Sequence, residues 1–204
     1  MIIKVCGMRE PDNIRAVEQL GIHWMGFIFW PRSSRYVATP PAYLPQRVKR
    51  VGVFVDADIA SITEIFNAYR LDVLQLHGHE DPAFIRDLRA ALQPAVPHIV
   101  KALPVATRAD IAATQPYEGL VDYFLFDTKG PAVGGNGTQY DWSILDAYQG
   151  STPFLLSGGI DPDDALRVRT FRHPQLAGID LNSRFETAPA LKDVTLLKSF
   201  LTKL

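Results

Sequence analysis

Ile2-Ile3-Lys4-Val5-Cys6-Gly7, near the start of the chain, is a short apolar run that ends in a thiol and a glycine. Side chains alternate along a strand, so Ile3 and Val5 share one face while Ile2, Lys4 and Cys6 share the other. One face suits packing against helices, and the other carries polar groups towards the end of the run. The same split recurs: Leu74 and Leu76 oppose Gln75 and His77, Phe124 and Phe126 oppose Leu125 and Asp127, Phe154 and Leu156 oppose Leu155 and Ser157, and Ile179 and Leu181 oppose Asp180 and Asn182.

Eight such runs, rich in β-branched and aromatic residues, fall at residues 2–6, 25–29, 51–55, 73–77, 99–101, 123–127, 154–157 and 178–182. Their ends lie about 25 residues apart, room for a strand, a helix and two short loops. Helix starts lie between them. Asp58 precedes Ile59, Ile62, Phe66 and Tyr69 at helical spacing, and Asp81-Pro82 precedes Phe84, Ile85 and Leu88. Asp161-Pro162 opens another, with Asp as cap and Pro at the first helical position. Val194, Leu197, Leu201 and Leu204 form a final apolar stripe. Eight βα steps over residues 1–204 predict an α/β protein made of one domain, a single parallel (β/α)8 TIM barrel with outer helices. An open doubly wound sheet would leave edge strands to protect, and no linker or low-complexity tract divides the chain into halves.

With 204 residues, 47% of them hydrophobic and 21% charged, the chain is globular rather than disordered. Lys plus Arg is 21 against 22 for Asp plus Glu, a formal charge of -1 that argues against a nucleic acid as partner. The single cysteine excludes an intramolecular disulfide and any CxxC metal site, so no metal is expected. The start lacks a basic region followed by a long apolar one, and no run approaches the ~20 apolar residues of a membrane span. No membrane partner and a cytoplasmic location are expected.

In a barrel the C-terminal strand ends converge on one mouth, where Lys4, Cys6, Gln75, His77, Asp127, Ser157, Asp180 and Asn182 form a candidate site. Lys101 also reads as an inward lysine, which needs a carboxylate or a ligand. Ser157-Gly158-Gly159 after the seventh run, with Asp180, Asn182 and Ser183 at the eighth, suits phosphate, because glycine lets backbone N–H groups approach the oxygens. Gly134-Gly135-Asn136-Gly137 reads as a closing loop. It lacks the Lys-Ser/Thr ending of a nucleotide-binding P-loop. Arg32 and Arg35 follow the second run, where a guanidinium can grip a carboxylate in bidentate fashion; Arg32 also reads as a solvated loop residue, and His77 as a simple loop hydrogen bonder.

Lys4-Val5-Cys6-Gly7-Met8, Gly26-Phe27-Ile28-Phe29 with Ser33-Ser34-Arg35-Tyr36, Val51-Gly52-Val53-Phe54, Gln75-Leu76-His77-Gly78, Phe126-Asp127-Thr128, Gly134-Gly135 through Tyr140-Asp141-Trp142, Ser157-Gly158-Gly159 and Gly178-Ile179-Asp180-Leu181-Asn182-Ser183 occur in the order seen in phosphoribosylanthranilate isomerases. The chain closely resembles that family. The resemblance implies a (β/α)8 barrel of tryptophan biosynthesis that needs no cofactor or metal. Its small-molecule substrate would be phosphoribosylanthranilate, rearranged to 1-(2-carboxyphenylamino)-1-deoxyribulose 5-phosphate. It further implies Cys6 as general base, Asp127 as general acid, Arg35 on the substrate carboxylate, and Gly158, Gly159, Asn182 and Ser183 on the phosphate, with Lys4, Gln75, His77 and Asp180 supporting the pocket. The base must act as a thiolate, and Lys4 or a positive mouth is expected to favour it.

Relatives commonly carry Thr, Lys and Phe where this chain has Asn136, Thr138 and Tyr140, which bears on how that loop closes. Two alternatives remain at this stage: a related phosphosugar isomerase of histidine biosynthesis, and an inactive sugar-phosphate-binding barrel. Whether the protein is a monomer or a homodimer is left open by the apolar helix faces.

Overall fold

The computed structural model describes residues 1–129 and 139–204. Its strands are β1 (Ile2–Val5), β2 (Trp24–Ile28), β3 (Lys49–Phe54), β4 (Val73–Leu76), β5 (His98–Val105), β6 (Tyr123–Thr128), β7 (Phe154–Leu156) and β8 (Leu176–Leu181). They pair in chain order as a closed parallel barrel, and the seam between β1 and β8 runs from Ile2↔Gly178 to Val5↔Leu181. A shorter antiparallel pair, β9 (Glu186–Ala188) and β10 (Leu191–Lys192), follows β8.

Strand parity sorts the core into two clusters. Val5, Leu74, Leu76, Phe124, Phe126, Phe154, Leu156, Ile179 and Leu181 face outwards and pack with the surrounding helices. Cys6, Val51, Val53, Val73, Val100, Ala102, Leu125 and Leu155 fill the barrel, with Trp24 and Tyr123 packed edge to face at 5.2 Å near the strand starts. Small and branched residues suit the inner space, where eight strands leave room only for side chains.

The outer shell is α1 (Pro11–Glu18), α2 (Ile59–Tyr69), α3 (Pro82–Ala91), α4 (Ala165–Thr170) and α5 (Val194–Leu201), with 3₁₀ segments at Arg108–Tyr117, Trp142–Ala147, Pro162–Asp164 and Ser183–Phe185. The expected caps are present: Asp58 accepts from Ser61 N at 2.7 Å, Asp81 from Phe84 N at 2.8 Å, and Asp161 from Asp163 N at 3.2 Å. The second step carries no helix. Pro31, Pro40, Pro41 and Pro45 fall in it, and proline both removes an N–H and disfavours helical backbone in the residue before it. Pro116 lies in the 3₁₀ segment of the fifth step.

Lys101 corrects an expectation. Its strand continues to Val105, so Val100 and Ala102 point inwards while Lys101 shares the outer face with Ile99 and Leu103. There its ammonium donates to Gly78 O at 2.7 Å and Glu80 Oε2 at 3.0 Å, away from the barrel interior. A three-residue run could not reveal how far the strand extended. The loop containing Asn136 and Thr138 lies outside the described residues. No helix among the described residues is long and apolar enough to cross a membrane.

Candidate active site

Cys6 follows β1 at the mouth, almost fully buried, with its N–H donating to Leu181 O at 2.9 Å. A Cβ on Gly26 would come within 2.7 Å of the Cys6 sulfur, so only glycine at this point of β2 leaves the thiol its seat. Below it Lys4 and Asp180 form a buried ion pair at 3.0 Å. Burial opposes the Lys4 charge, but Asp180 and Cys6 hold its pKa above the ordinary value. Burial also pushes the Cys6 thiol up; Lys4 pulls it down and Asp180 pushes back. Lys4 is thus the strongest group favouring the thiolate, as expected, but burial and Asp180 outweigh it and the thiol stays above its ordinary value.

The loop after β2 folds back on its own strand. Ser33 N donates to Trp30 O at 2.9 Å, Val37 N to Ile28 O at 2.9 Å, and the Ser33 hydroxyl accepts from Arg35 N at 3.1 Å. Arg32 is exposed and Arg35 turns in. Its Nε and Nη2 donate to Glu186 at 2.7 to 3.0 Å in a side-on fork. Glu186 also takes Lys192 Nζ at 2.5 Å, and Lys192 reaches Asn182 Oδ1 at 2.8 Å. These groups surround Gly7: a Cβ there would lie 2.6 Å from Arg35 Cδ, 2.8 Å from Asn182 Oδ1 and 3.5 Å from Lys192 Nζ. Asn13 of α1 pins Lys192 from behind, bonding both its N–H and its C=O at 2.8 Å. Burial works against the Glu186 charge, but Arg35 and Lys192 bring its pKa below the ordinary value. Burial draws Lys192 down to about 8 against the pull of Glu186.

Across the mouth, Asp127 near the end of β6 accepts from Thr128 N at 2.9 Å and lies 3.4 Å from His77 Nε2. Gln75 Nε2 sits 3.0 Å from His77 Nδ1; with the amide donating, the ring proton falls on Nε2, facing Asp127. Tyr140 packs nearby with its hydroxyl 3.5 Å from Phe126 O, and burial and then Asp127 raise its pKa well above the ordinary value. Gly158 and Gly159 adopt φ of +89° and +68° in the turn after β7, beside the loop that carries Asn182 and Ser183 after β8. A Cβ on Gly158 would meet the Thr128 hydroxyl at 2.3 Å.

The strand-end reading thus brings Cys6, Lys4, Asp180, Asn182 and Arg35 to one side of the mouth and Asp127, His77 and Gln75 to another. It missed Glu186 and Lys192. Both sit on strands of three and two residues, too short to show alternation, and a lone Glu or Lys carries no local sign of burial. Among the described residues no three His, Cys, Asp or Glu side chains are placed to hold a metal ion.

The family model for N-(5′-phosphoribosyl)anthranilate isomerase matches residues 3–203. The protein of that name from Parabacteroides distasonis is 52% identical over 100% of this chain and 93% of its own length. The crystal structure of phosphoribosyl anthranilate isomerase from Thermus thermophilus superposes with a TM-score of 0.85 at 27% identity, covering 100% of this chain and 98% of that one. A second solved phosphoribosyl anthranilate isomerase, in complex with reduced 1-(o-carboxyphenylamino)-1-deoxyribulose 5-phosphate, has a TM-score of 0.80 at 26% identity with the same coverage.

Proposed function

The chain belongs to the N-(5′-phosphoribosyl)anthranilate isomerase family, and from that premise we propose that Cys6 and Asp127 carry the proton transfers of its aldose-to-ketose rearrangement. Asp127, protonated, donates to the furanose ring oxygen as the C1′–O bond breaks, which opens the aminoaldose to a Schiff base. The Cys6 thiolate then removes the C2′ proton, and the resulting enolamine tautomerises to the ketone. An acid and a base at separate strand ends suit this sequence, because each acts on a different atom of one bound sugar.

Arg35 takes the anthranilate carboxylate, while Gly158, Gly159, Asn182 and Ser183 bind the phosphate. The Lys4–Asp180 pair and the Gln75–His77–Asp127 chain support the pocket. The protein works in the cytoplasm, as a monomer or homodimer, without a cofactor. The observation that carries the assignment is the placement of Cys6 and Asp127 at the mouth end of one closed barrel, both buried and both followed by site loops.

The test follows the loss of phosphoribosylanthranilate fluorescence, with the labile substrate generated in place from anthranilate and phosphoribosyl pyrophosphate by a transferase. Wild-type protein accelerates the decay. Cys6→Ala and Asp127→Asn each lower kcat by about 10² to 10⁴-fold, and persistence of the rate in either variant removes that residue from its role.

A further inference from the structure

Two buried charges of the mouth, Lys192 and Glu186, have no part in the proton transfers just described. We propose that Lys192 is a positioning residue for the proposed base: its ammonium, held beside Gly7 by Glu186 and Asn182, adds to Lys4 a second positive charge that stabilises the Cys6 thiolate. The inference rests on the reading of Cys6 as base.

The charges around Cys6 decide the matter. Lys4 is the strongest favourable charge on the thiol, but it is paired with Asp180 of β8, which offsets part of it, and burial keeps the thiol raised. Arg35 from the loop after β2 and Lys192 from β10 face the single carboxylate of Glu186 on β9. This second group therefore holds one positive charge in excess, on a side where every member is largely buried. Asp127 and His77 stand across the mouth and act on Asp180. Charges screened little by water act strongly over short distances, and both Arg35 and Lys192 are coupled electrostatically to Cys6.

The position of Lys192 is also fixed by the fold. Asn13 clamps its backbone at both hydrogen-bonding groups, and Glu186 and Asn182 hold its head. A lysine side chain has high rotamer entropy, and four anchoring contacts are more than a filler position needs. In the cycle the thiol first yields its proton to water, leaving the thiolate beside the ammonium. The thiolate then forms S–H as the substrate C2′–H bond breaks, and no electron acceptor is required.

Cys6 is the only cysteine, so the ultraviolet absorbance of a thiolate, followed against pH with Cys6→Ala as the blank, reports this group alone. Lys192→Gln keeps a hydrogen-bonding head and drops the charge, with Lys192→Met in its place should the first not fold. Lys192→Arg keeps the charge. Below about pH 8, where Lys192 still carries its proton, the thiolate fraction and kcat/KM of Lys192→Gln are each about tenfold lower than those of wild type, and the difference narrows as the pH rises further. In Lys192→Arg both stay near wild type.

Equal thiolate fractions and kcat/KM in Lys192→Gln and wild type below about pH 8, a rise in KM alone, or an equal loss in Lys192→Arg overturns the proposal. Full activity in Cys6→Ala instead overturns the reading of Cys6 as base, whatever the absorbance of the Lys192 variants does.

Discussion

The two sides of the barrel mouth are built differently. On the Cys6 side, five buried charges from β1, β8, the loop after β2 and the β9–β10 hairpin form two tight groups, with ion pairs of 2.5 to 3.0 Å. On the Asp127 side, one carboxylate meets the next residue's N–H and a histidine at 3.4 Å. A thiol must be persuaded to ionise in a dry site, which takes fixed charge; an acid that must carry a proton is served by few partners and by burial. The Cys6 side should therefore be brittle and the Asp127 side forgiving.

The largest test of that contrast is Glu186→Gln. It leaves the Arg35 and Lys192 cations facing each other without a counter-charge, and removing one partner of a buried pair costs about 3–5 kcal/mol. Urea unfolding should show this loss, and a change under ~1 kcal/mol would break the contrast.

Next comes the pH dependence of Lys192. A folded-state value depressed from 10.5 to about 8 means that the unfolded chain binds more protons between those values, so stability rises with pH across that window. At 1.36 kcal/mol per unit the gain is about 3 kcal/mol. Melting of wild type against Lys192→Met from about pH 8 to 10.5 isolates it, because other titrating groups cancel; a parallel pair of curves would contradict the assignment.

Arg35→Lys keeps the charge but loses the fork that Glu186 and a carboxylate require. Hydrogen bonds to charged groups contribute about 1.5–3 kcal/mol, so KM should rise roughly 10 to 100-fold with a smaller change in kcat. The smallest effect is expected from Gln75→Leu. Its Oε1 is buried with no hydrogen-bond partner among the described residues, so an apolar replacement of similar size gives up only the Nε2 bond to His77 and should cost less than about 1.5 kcal/mol, with a modest slowing of turnover through His77. A large loss of stability would show the Asp127 side to be as constrained as the other.

Much of the barrel was legible because parity is local. Alternation in 123–127 and 178–182 already separates Phe124 and Ile179 from Asp127 and Asp180, and the structure keeps that separation. Lys101 shows where the method fails: three residues gave its run no frame, and only the pairing of β5 with β4 and β6 showed that it faces Glu80. The second step failed differently, since apolar spacing cannot report a helix that prolines prevent.

The site divides along the same line. Cys6, His77, Asp127, Asp180 and Asn182 announce themselves as polar groups at strand ends, and Gly158-Gly159 as a backbone able to turn. Nothing local marks Glu186 or Lys192, whose partners lie on the loop after β2 and on α1, 151 and 179 residues away in the chain. The sequence by itself determined the strands, the two faces of the longer runs, the order of the motifs and the family, because those follow from patterns within a few residues. Only the tertiary structure decided which cations pair with which carboxylates. Ion pairing depends on distances between side chains that the closed barrel brings together, and each pairing fixes how much charge is left to act on the thiol.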